Sequence, residues 1–309
     1  QGSVSMAFRL LGECVVPPAV EDFCGRACDL WKLMCHLGLS RRVVALCGEP
    51  LIGKTAVLAE LVRYASCIGR RFARRGLHLS LPMLLEEGID LSISTVVERL
   101  LHRAHAASGG AVQEADISEL VFGDFSASTA VRCMRGKLLS TLRTLEAGGQ
   151  EVLIAIDGCD AELVGAELLD ELHKVILEVL LRTERVVFLL VAREASVPAL
   201  GAHKVVAYRL QGLGAIEAAR LFLRRVHRPL TEADVSTSAD DSGSPQAPII
   251  LTQQNRCMVW SQLAMHPAIA ACQGNPGKLQ ALADQVLPGG PSLWSLAGAD
   301  GVGVVPSGT

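Results

Sequence analysis

The 309-residue sequence has no excess of either charge, no long hydrophobic run and no repeat of fixed period. Its 29 Lys and Arg stand against 32 Asp and Glu. That balance excludes a polybasic nucleic-acid tail, an acidic solvating chain and a disordered protein, so no direct nucleic-acid partner is expected. The longest apolar stretch, Val186 to Ala192, falls far short of the roughly 20 residues that span a bilayer. A soluble, cytoplasmic protein with no membrane partner is therefore expected. No basic segment leading into an apolar run and a small-residue cleavage site opens the chain, which argues against secretion. The first residue is Gln1 rather than Met, and the expectation is a piece of a longer product. Zinc-finger spacing is missing too. Ten cysteines are scattered through apolar segments, which fits a reducing compartment. Cys24, Cys28 and Cys35 fall along one helical side and are expected to pack in the core.

About half of the residues are apolar, and a chain of this size buries roughly 75% of its unfolded surface, enough for a real core. Residues 1–19 read as an irregular lead-in. A helical period covers Ala27 to Leu37, with Leu30, Leu33 and Met34 on one face. Five short continuous apolar runs follow, of the kind a buried parallel strand shows: Val43 to Cys47, Leu77 to Leu81, Val152 to Ile156, Val186 to Val191 and Val205 to Leu210. Helical patterns lie between them at Ala56 to Phe72, Ser92 to Ala107, Thr129 to Leu145 and Glu167 to Leu181. This alternation predicts an α/β fold, a three-layer, doubly wound, parallel five-stranded sheet over 20–211. From Ile216 the pattern is wholly helical, predicting a smaller all-α subdomain over 212–287. Between Arg228 and Arg256 there is no Lys or Arg, and Glu232, Asp234, Asp240 and Asp241 sit among Ser, Thr, Gly and Pro. Residues 229–250 are accordingly expected to be a flexible insertion, and 288–309 a poorly ordered Gly/Pro-rich tail.

Gly48-Glu49-Pro50-Leu51-Ile52-Gly53-Lys54-Thr55 fits the phosphate-binding loop G-x-x-x-x-G-K-[ST] at every constrained position. Such an octet arises by chance in a chain this long on the order of 1% of the time. It follows a predicted strand and opens an amphipathic helix, the setting the chemistry needs. Gly48 and Gly53 permit a backbone path that turns successive N–H groups into an anion nest, while the helix starting near Lys54 and Ala56 adds its positive dipole end. Lys54 supplies a full charge to the β and γ oxygens, and the Thr55 hydroxyl can ligate Mg²⁺. Asp157 follows five apolar residues, where a buried strand would emerge, and is the candidate to hold the metal's water shell. Asp160 is the nearest candidate to orient or deprotonate an attacking water, with Glu162 in reserve; a helix N-cap is the alternative role for Asp160. Arg193, just past another strand, stands where open α/β sheets bind ligands and could sense a γ-phosphate, the alternative being a surface pair with Glu194 or Glu184.

An ordered series of motifs from about Phe23 to Val286 resembles the nucleotide-binding region of STAND signalling ATPases, of the NB-ARC type and of the related AP-ATPase modules of bacterial transcriptional regulators, a P-loop NTPase class. Phe23-Cys24-Gly25-Arg26 is similar to that family's opening motif, which lies against the adenine. Gly76-Leu77-His78-Leu79-Ser80-Leu81-Pro82 resembles its second strand. Ile156-Asp157-Gly158-Cys159-Asp160 is similar to the metal-binding strand end, with the second acid displaced two residues. Val191-Ala192-Arg193-Glu194 resembles the sensor motif, with Ala192 where a hydroxyl often stands. Tyr208 to Leu213 and Glu217 to Phe222 resemble the passage into the helical subdomain. Gly274-Asn275-Pro276-Gly277-Lys278-Leu279 resembles the motif whose proline, here Pro276, touches the base. The family's Met-His-Asp motif is not visible; Met265-His266-Pro267 precedes the Pro276 motif and does not replace it.

The resemblance implies a sensor strand inserted between the loop strand and the Asp157 strand, and a helical subdomain folded over the base. It further implies ATP or ADP with Mg²⁺, slow hydrolysis, and a conformational switch on nucleotide exchange. Adenine rather than guanine rests on the resemblance, since no Asn-Lys-x-Asp motif is present. Protein partners are expected through domains outside this chain, and a nucleotide-dependent homo-oligomer is left open. Two further readings stand beside the switch: a turnover ATPase or phosphoryl transferase, and a nucleotide-binding scaffold that does not hydrolyse.

Overall fold

The computed structural model describes residues 17, 19–38, 41–67, 72, 76–108, 127–147, 149, 151–197, 205–235 and 248–298. They fall into two compact units. The sheet unit comprises described residues within 1–20, 29–48 and 54–210; the helical unit comprises 21–28, 49–53 and those from 211 onward.

Five parallel strands build the sheet: β1 (Val43–Cys47), β2 (Gly76–Ser80), β3 (Val152–Asp157), β4 (Val186–Val191) and β5 (Val205–Arg209). Their order is β2-β3-β4-β1-β5, so β4 lies between β1 and β3, as the resemblance implied. Every residue of β1, β3 and β4 is buried, because strands covered on both faces need continuous apolar runs rather than alternation. Edge strand β5 is partly exposed along its whole length. Register sets the functional edge: Leu46 pairs with Val191 and Ile156 with Leu190, which puts Asp157 level with Val191 and Leu46.

Helices α1 (Ala27–Gly38), α2 (Lys54–Cys67), α3 (Leu81–Glu86), α4 (Ile93–Ala107), α5 (Ala127–Ala147), α6 (Ala161–Val164) and α7 (Ala166–Arg182) connect the strands. Val57, Leu58, Leu61, Val62 and Ala65 of α2 are buried and recur at helical spacing along one face of the segment expected to be helical from Ala56. Leu81, expected as the last residue of β2, instead opens α3. The Ser80 hydroxyl accepts from the Met83 N–H there, and Pro82 occupies the first turn, where its missing N–H costs nothing. Ser92 caps α4 in the same way.

The cysteines on and just before α1 correct the core expectation: Cys28 and Cys35 on the helix are exposed and Cys24 before it is half-buried. The inward face of α1 is carried by Leu33 and Leu37, and Cys28, Trp31 and Cys35 are on the opposite, exposed side. Among the described residues no His, Cys, Asp and Glu group could hold a metal ion as a cluster, and no helix is long and apolar enough to cross a membrane.

The helical unit contains α8 (Ala215–Arg225), α9 (Glu232–Val235), α10 (Arg256–Met265), α11 (Pro267–Ala271), α12 (Pro276–Gln285) and α13 (Leu293–Gly298). Its own core gathers Leu213, Leu221, Phe222, Val259, Leu263, Ile269, Leu279 and Leu282. Two expectations are corrected here. Residues 229–235 are ordered, not a linker: Asp234 is 1% exposed and forms a double ion pair with Arg228 at 2.7 and 2.9 Å. The same carboxylate accepts from the Thr231 N–H, the Thr231 hydroxyl and the Leu293 N–H. Thr231 also bridges to Pro248; residues 236–247 are outside the described residues. The tail is folded as far as Gly298, because Leu293 is fully buried and Trp294 packs against His266, ring centroids 4.2 Å apart.

Candidate functional site

Between Cys47 and Lys54 the backbone leaves the right-handed regions three times, at Gly48 (φ 149°), Leu51 (φ 61°) and Gly53 (φ 93°). The glycines adopt these angles freely. Leu51 does not: left-handed backbone costs a Cβ-bearing residue about 1–2 kcal/mol, so neighbours must hold it.

The holding groups come from the helical unit. Three consecutive loop carbonyls are taken, Pro50 by the Asn275 side-chain amide (3.1 Å), Leu51 by the Gly277 N–H (3.2 Å) and Ile52 by the Arg26 guanidinium (2.8 Å). In a planar trans peptide the N–H points opposite to the carbonyl. The N–H groups of Leu51, Ile52 and Gly53 are therefore aimed away from these three partners; that of Ile52 makes only a long 3.4 Å contact to the Glu49 carbonyl. Arg26, 4% exposed, also donates to the Gln211 carbonyl at 2.6 Å. Pro276 begins α12, its carbonyl accepts from Arg225, and its ring lies beside Gly53. Of the other loop residues, Glu49 and Pro50 are exposed and Ile52 is buried; Phe23 and Ala56 are half-buried.

In the sheet unit, the Lys54 ammonium donates to the Gly48 carbonyl at 2.9 Å. Burial lowers its pKa, opposed by the nearby Asp160 and Asp157 carboxylates. Asp157 is 2% exposed. Burial raises its pKa, while bonds from the Thr55 hydroxyl and the Gly158 N–H and the charge of Lys54 pull it down. Its Oδ2 is buried and has no hydrogen-bond partner. A carboxylate with one oxygen on the Thr55 hydroxyl and the other buried and unsatisfied is a fitting seat for a hydrated Mg²⁺, so Thr55 and Asp157 are the residues that would hold it.

Asp160 is at the N-cap of α6 but makes no side-chain cap bond; its carboxylate accepts from the Arg193 backbone N–H. The Arg193 guanidinium pairs with Glu162, and with neither Glu184 nor Glu194, which was the alternative anticipated from sequence. Glu194 instead lies 3.9 Å from Arg209. Gly48, Lys54, Thr55, Asp157, Asp160 and Arg193 thus belong to the sheet unit, and Phe23, Arg26, residues 49–53 and Pro276 to the helical unit. Sequence reasoning missed the Asn275 and Gly277 contacts, although both residues stand inside the Pro276 motif, and gave Glu162 no part beside Arg193.

No family model matches this sequence, and comparison with curated proteins found no match. Among solved structures, the chain is similar to a Signal Transduction ATPase with Numerous Domains (STAND) protein with a tetratricopeptide repeat sensor from Pyrococcus horikoshii. That likeness has 18% identity and a TM-score of 0.43, over 69% of this chain and 27% of that one, so this chain spans about a quarter of its length. It is also similar to a Walker-type ATPase of Pyrococcus abyssi (13% identity, TM-score 0.49, 89% of this chain and 71% of that one). A third likeness is to Cdc6p from Pyrobaculum aerophilum (15% identity, TM-score 0.43, 87% and 67%). At these identities and scores the likenesses carry no functional inference. What the chain itself has is a buried parallel strand, a glycine-framed loop with its carbonyls tied off, a helix opening on Lys54 and Thr55, and, next to Thr55, an unsatisfied buried carboxylate oxygen of Asp157.

Proposed function

We propose that this chain is a P-loop NTPase of the STAND type, a switch that binds ATP or ADP with Mg²⁺ and hydrolyses ATP slowly. The observation that carries the reading is Asp157, whose buried, unpartnered Oδ2 accompanies a bond from the Thr55 hydroxyl at the start of the helix that follows the loop. On this reading the amides of residues 51–53 receive the β-phosphate. Lys54 exchanges its bond to the Gly48 carbonyl for the β and γ oxygens. Thr55 and Asp157 would hold Mg²⁺, which would supply neutralisation of the phosphate charge. The Asp160 carboxylate is already engaged by the Arg193 N–H and must give up that bond to receive an attacking water, which supports slow turnover. Arg193 can release Glu162 for a γ-phosphate, so that ATP and ADP leave different contacts at the end of β4. Nucleotide state then governs conformation, and with it assembly and contacts to protein partners outside this chain in the cytoplasm.

Two measurements test this. The nucleotide released on denaturing the purified protein should be ADP or ATP, and calorimetry should find that Lys54→Ala abolishes MgADP binding. Unchanged affinity in that variant refutes the site. Fast phosphate release that depends on a second substrate would favour a turnover ATPase or phosphoryl transferase, and binding with no release at all a scaffold.

A further inference from the structure

A loop that grips phosphate through its amides must have its carbonyls facing elsewhere, and here those carbonyls have specific owners. We infer that Asn275 is a positioning residue for the phosphate-binding loop: its side-chain amide fixes the Pro50 carbonyl outward and, with Gly277 and Arg26 on the next two carbonyls, holds residues 50–52 in the anion-receiving conformation. The inference rests on the nucleotide reading above and assigns to the start of α12 a role in loop geometry, separate from any contact of Pro276 with a base.

Three features carry it. First, Asn275 is 3% exposed and its side chain uses both of its ends. Its Oδ1 caps α12 by accepting from the Gly277 and Lys278 N–H groups at 3.0 and 3.3 Å, while its amide donates to Pro50, 225 residues away in sequence. Capping alone would be served equally well by Asp; donating to a carbonyl would not, because an ionised carboxylate has no proton to give. Second, Leu51 holds φ 61° without being glycine, and such backbone persists only where surrounding contacts over-determine it. The bonds on carbonyls 50, 51 and 52 are those contacts. Third, Gly277 is needed for the approach: a Cβ there would stand 2.4 Å from the Leu51 Cβ, so only glycine brings this N–H to the Leu51 carbonyl without displacing the loop.

The discriminating variant is Asn275→Asp in the full chain, which keeps the α12 cap and removes the donor. Calorimetric titration uses two probes, MgADP and inorganic pyrophosphate, the second lacking a base. Affinity for both should fall by about tenfold at a temperature where wild type and variant are both fully folded, whatever the change in melting temperature. Gly277→Ala, which leaves the cap intact but pushes on Leu51, should show the same pattern. The tie is overturned if both variants bind as wild type, or if the loss of affinity disappears when all proteins are compared at a temperature where they are folded. It is equally overturned if MgADP is weakened and pyrophosphate is not, since Asn275 would then act on the base side. Wild-type protein that binds neither probe removes the nucleotide reading and this inference together, whereas wild-type binding with unaffected variants removes the inference alone.

Discussion

Asp234→Asn should destabilise the helical unit more than any other single conservative substitution there. The carboxylate is 1% exposed and receives five hydrogen bonds from three residues, two of them from Arg228, whose side chain is itself 14% exposed. Although burial opposes ionisation, these bonds hold the Asp234 pKa down to about 2 from an ordinary 3.8. That shift corresponds to roughly 2.5 kcal/mol of stability at neutral pH. Asparagine can still accept from the Thr231 or Leu293 N–H, but its amide would face the Arg228 guanidinium donor to donor. Breaking a buried pair from one side typically costs about 3–5 kcal/mol, so a loss of about 2.5–5 kcal/mol is expected. For a unit of this size each kcal/mol moves the melting midpoint by about 4–8 °C, and a drop of at least ~10 °C is expected.

Tryptophan fluorescence reports on the right region. Trp294 packs on His266, and Trp260 lies under the guanidiniums of Arg220 and Arg256. Trp31 is 72% exposed and changes little on unfolding. The pH dependence has a definite sign. A carboxylate with a depressed folded pKa stabilises above its unfolded pKa and ceases to do so as pH falls through the folded one. The gap between wild type and variant should therefore be constant from neutral pH to about 4.5 and close toward pH 2. A midpoint shift under ~3 °C at pH 7 would refute the assignment of Asp234 as the organising charge of this unit.

Asp157→Asn should separate stability from function. Burial raises the Asp157 pKa, so the ionised form weakens the nucleotide-free fold as pH rises through the ordinary carboxylate range. Differential scanning calorimetry at neutral pH should find the amide variant melting a few degrees higher. Its ATP affinity should no longer respond to Mg²⁺, and retained Mg²⁺ dependence would remove Asp157 from the metal site. Arg193→Ala should narrow the preference between ATP and ADP in competition titrations, and an unaltered ratio would leave Arg193 as a partner of Glu162 and nothing more.

What the sequence disclosed, and what it concealed, follows from how local each signal is. β1, β3 and β4 are buried on both faces, so each is a continuous apolar run with sharp ends. The apolar stripe of α2 repeats at helical spacing, and the octet from Gly48 to Thr55 is contiguous. The partners of the loop carbonyls are not local: Asn275 and Gly277 meet residues 50 and 51 across more than two hundred positions, and a cap-competent Asn before a proline looks the same whether or not its amide has a second task. Composition misled at Asp234, because an acidic residue among Ser, Thr and Gly reads as solvated until its arginine is seen. It misled again at Cys28 and Cys35, which apolar scales send inward although Leu33 and Leu37 already fill that side of α1. Arg193 was matched with acids near it in sequence, whereas pairing of β3 with β4 brings up Glu162 from the segment after β3.

The strand order also bears on biogenesis. β1 ends at the glycine-framed loop, yet its two neighbours are β4 and β5, which pair with it about 145 and 162 positions further along. While the nascent chain emerges, β1 has no edge to join until Val191 has cleared the ribosome, and it remains one-sided until Arg209 follows. Such distant pairing is slow and leaves an apolar strand open to aggregation. Translation products ending before Val186 should therefore depend on chaperones and bind no nucleotide, although they already contain every residue from Gly48 to Asp160.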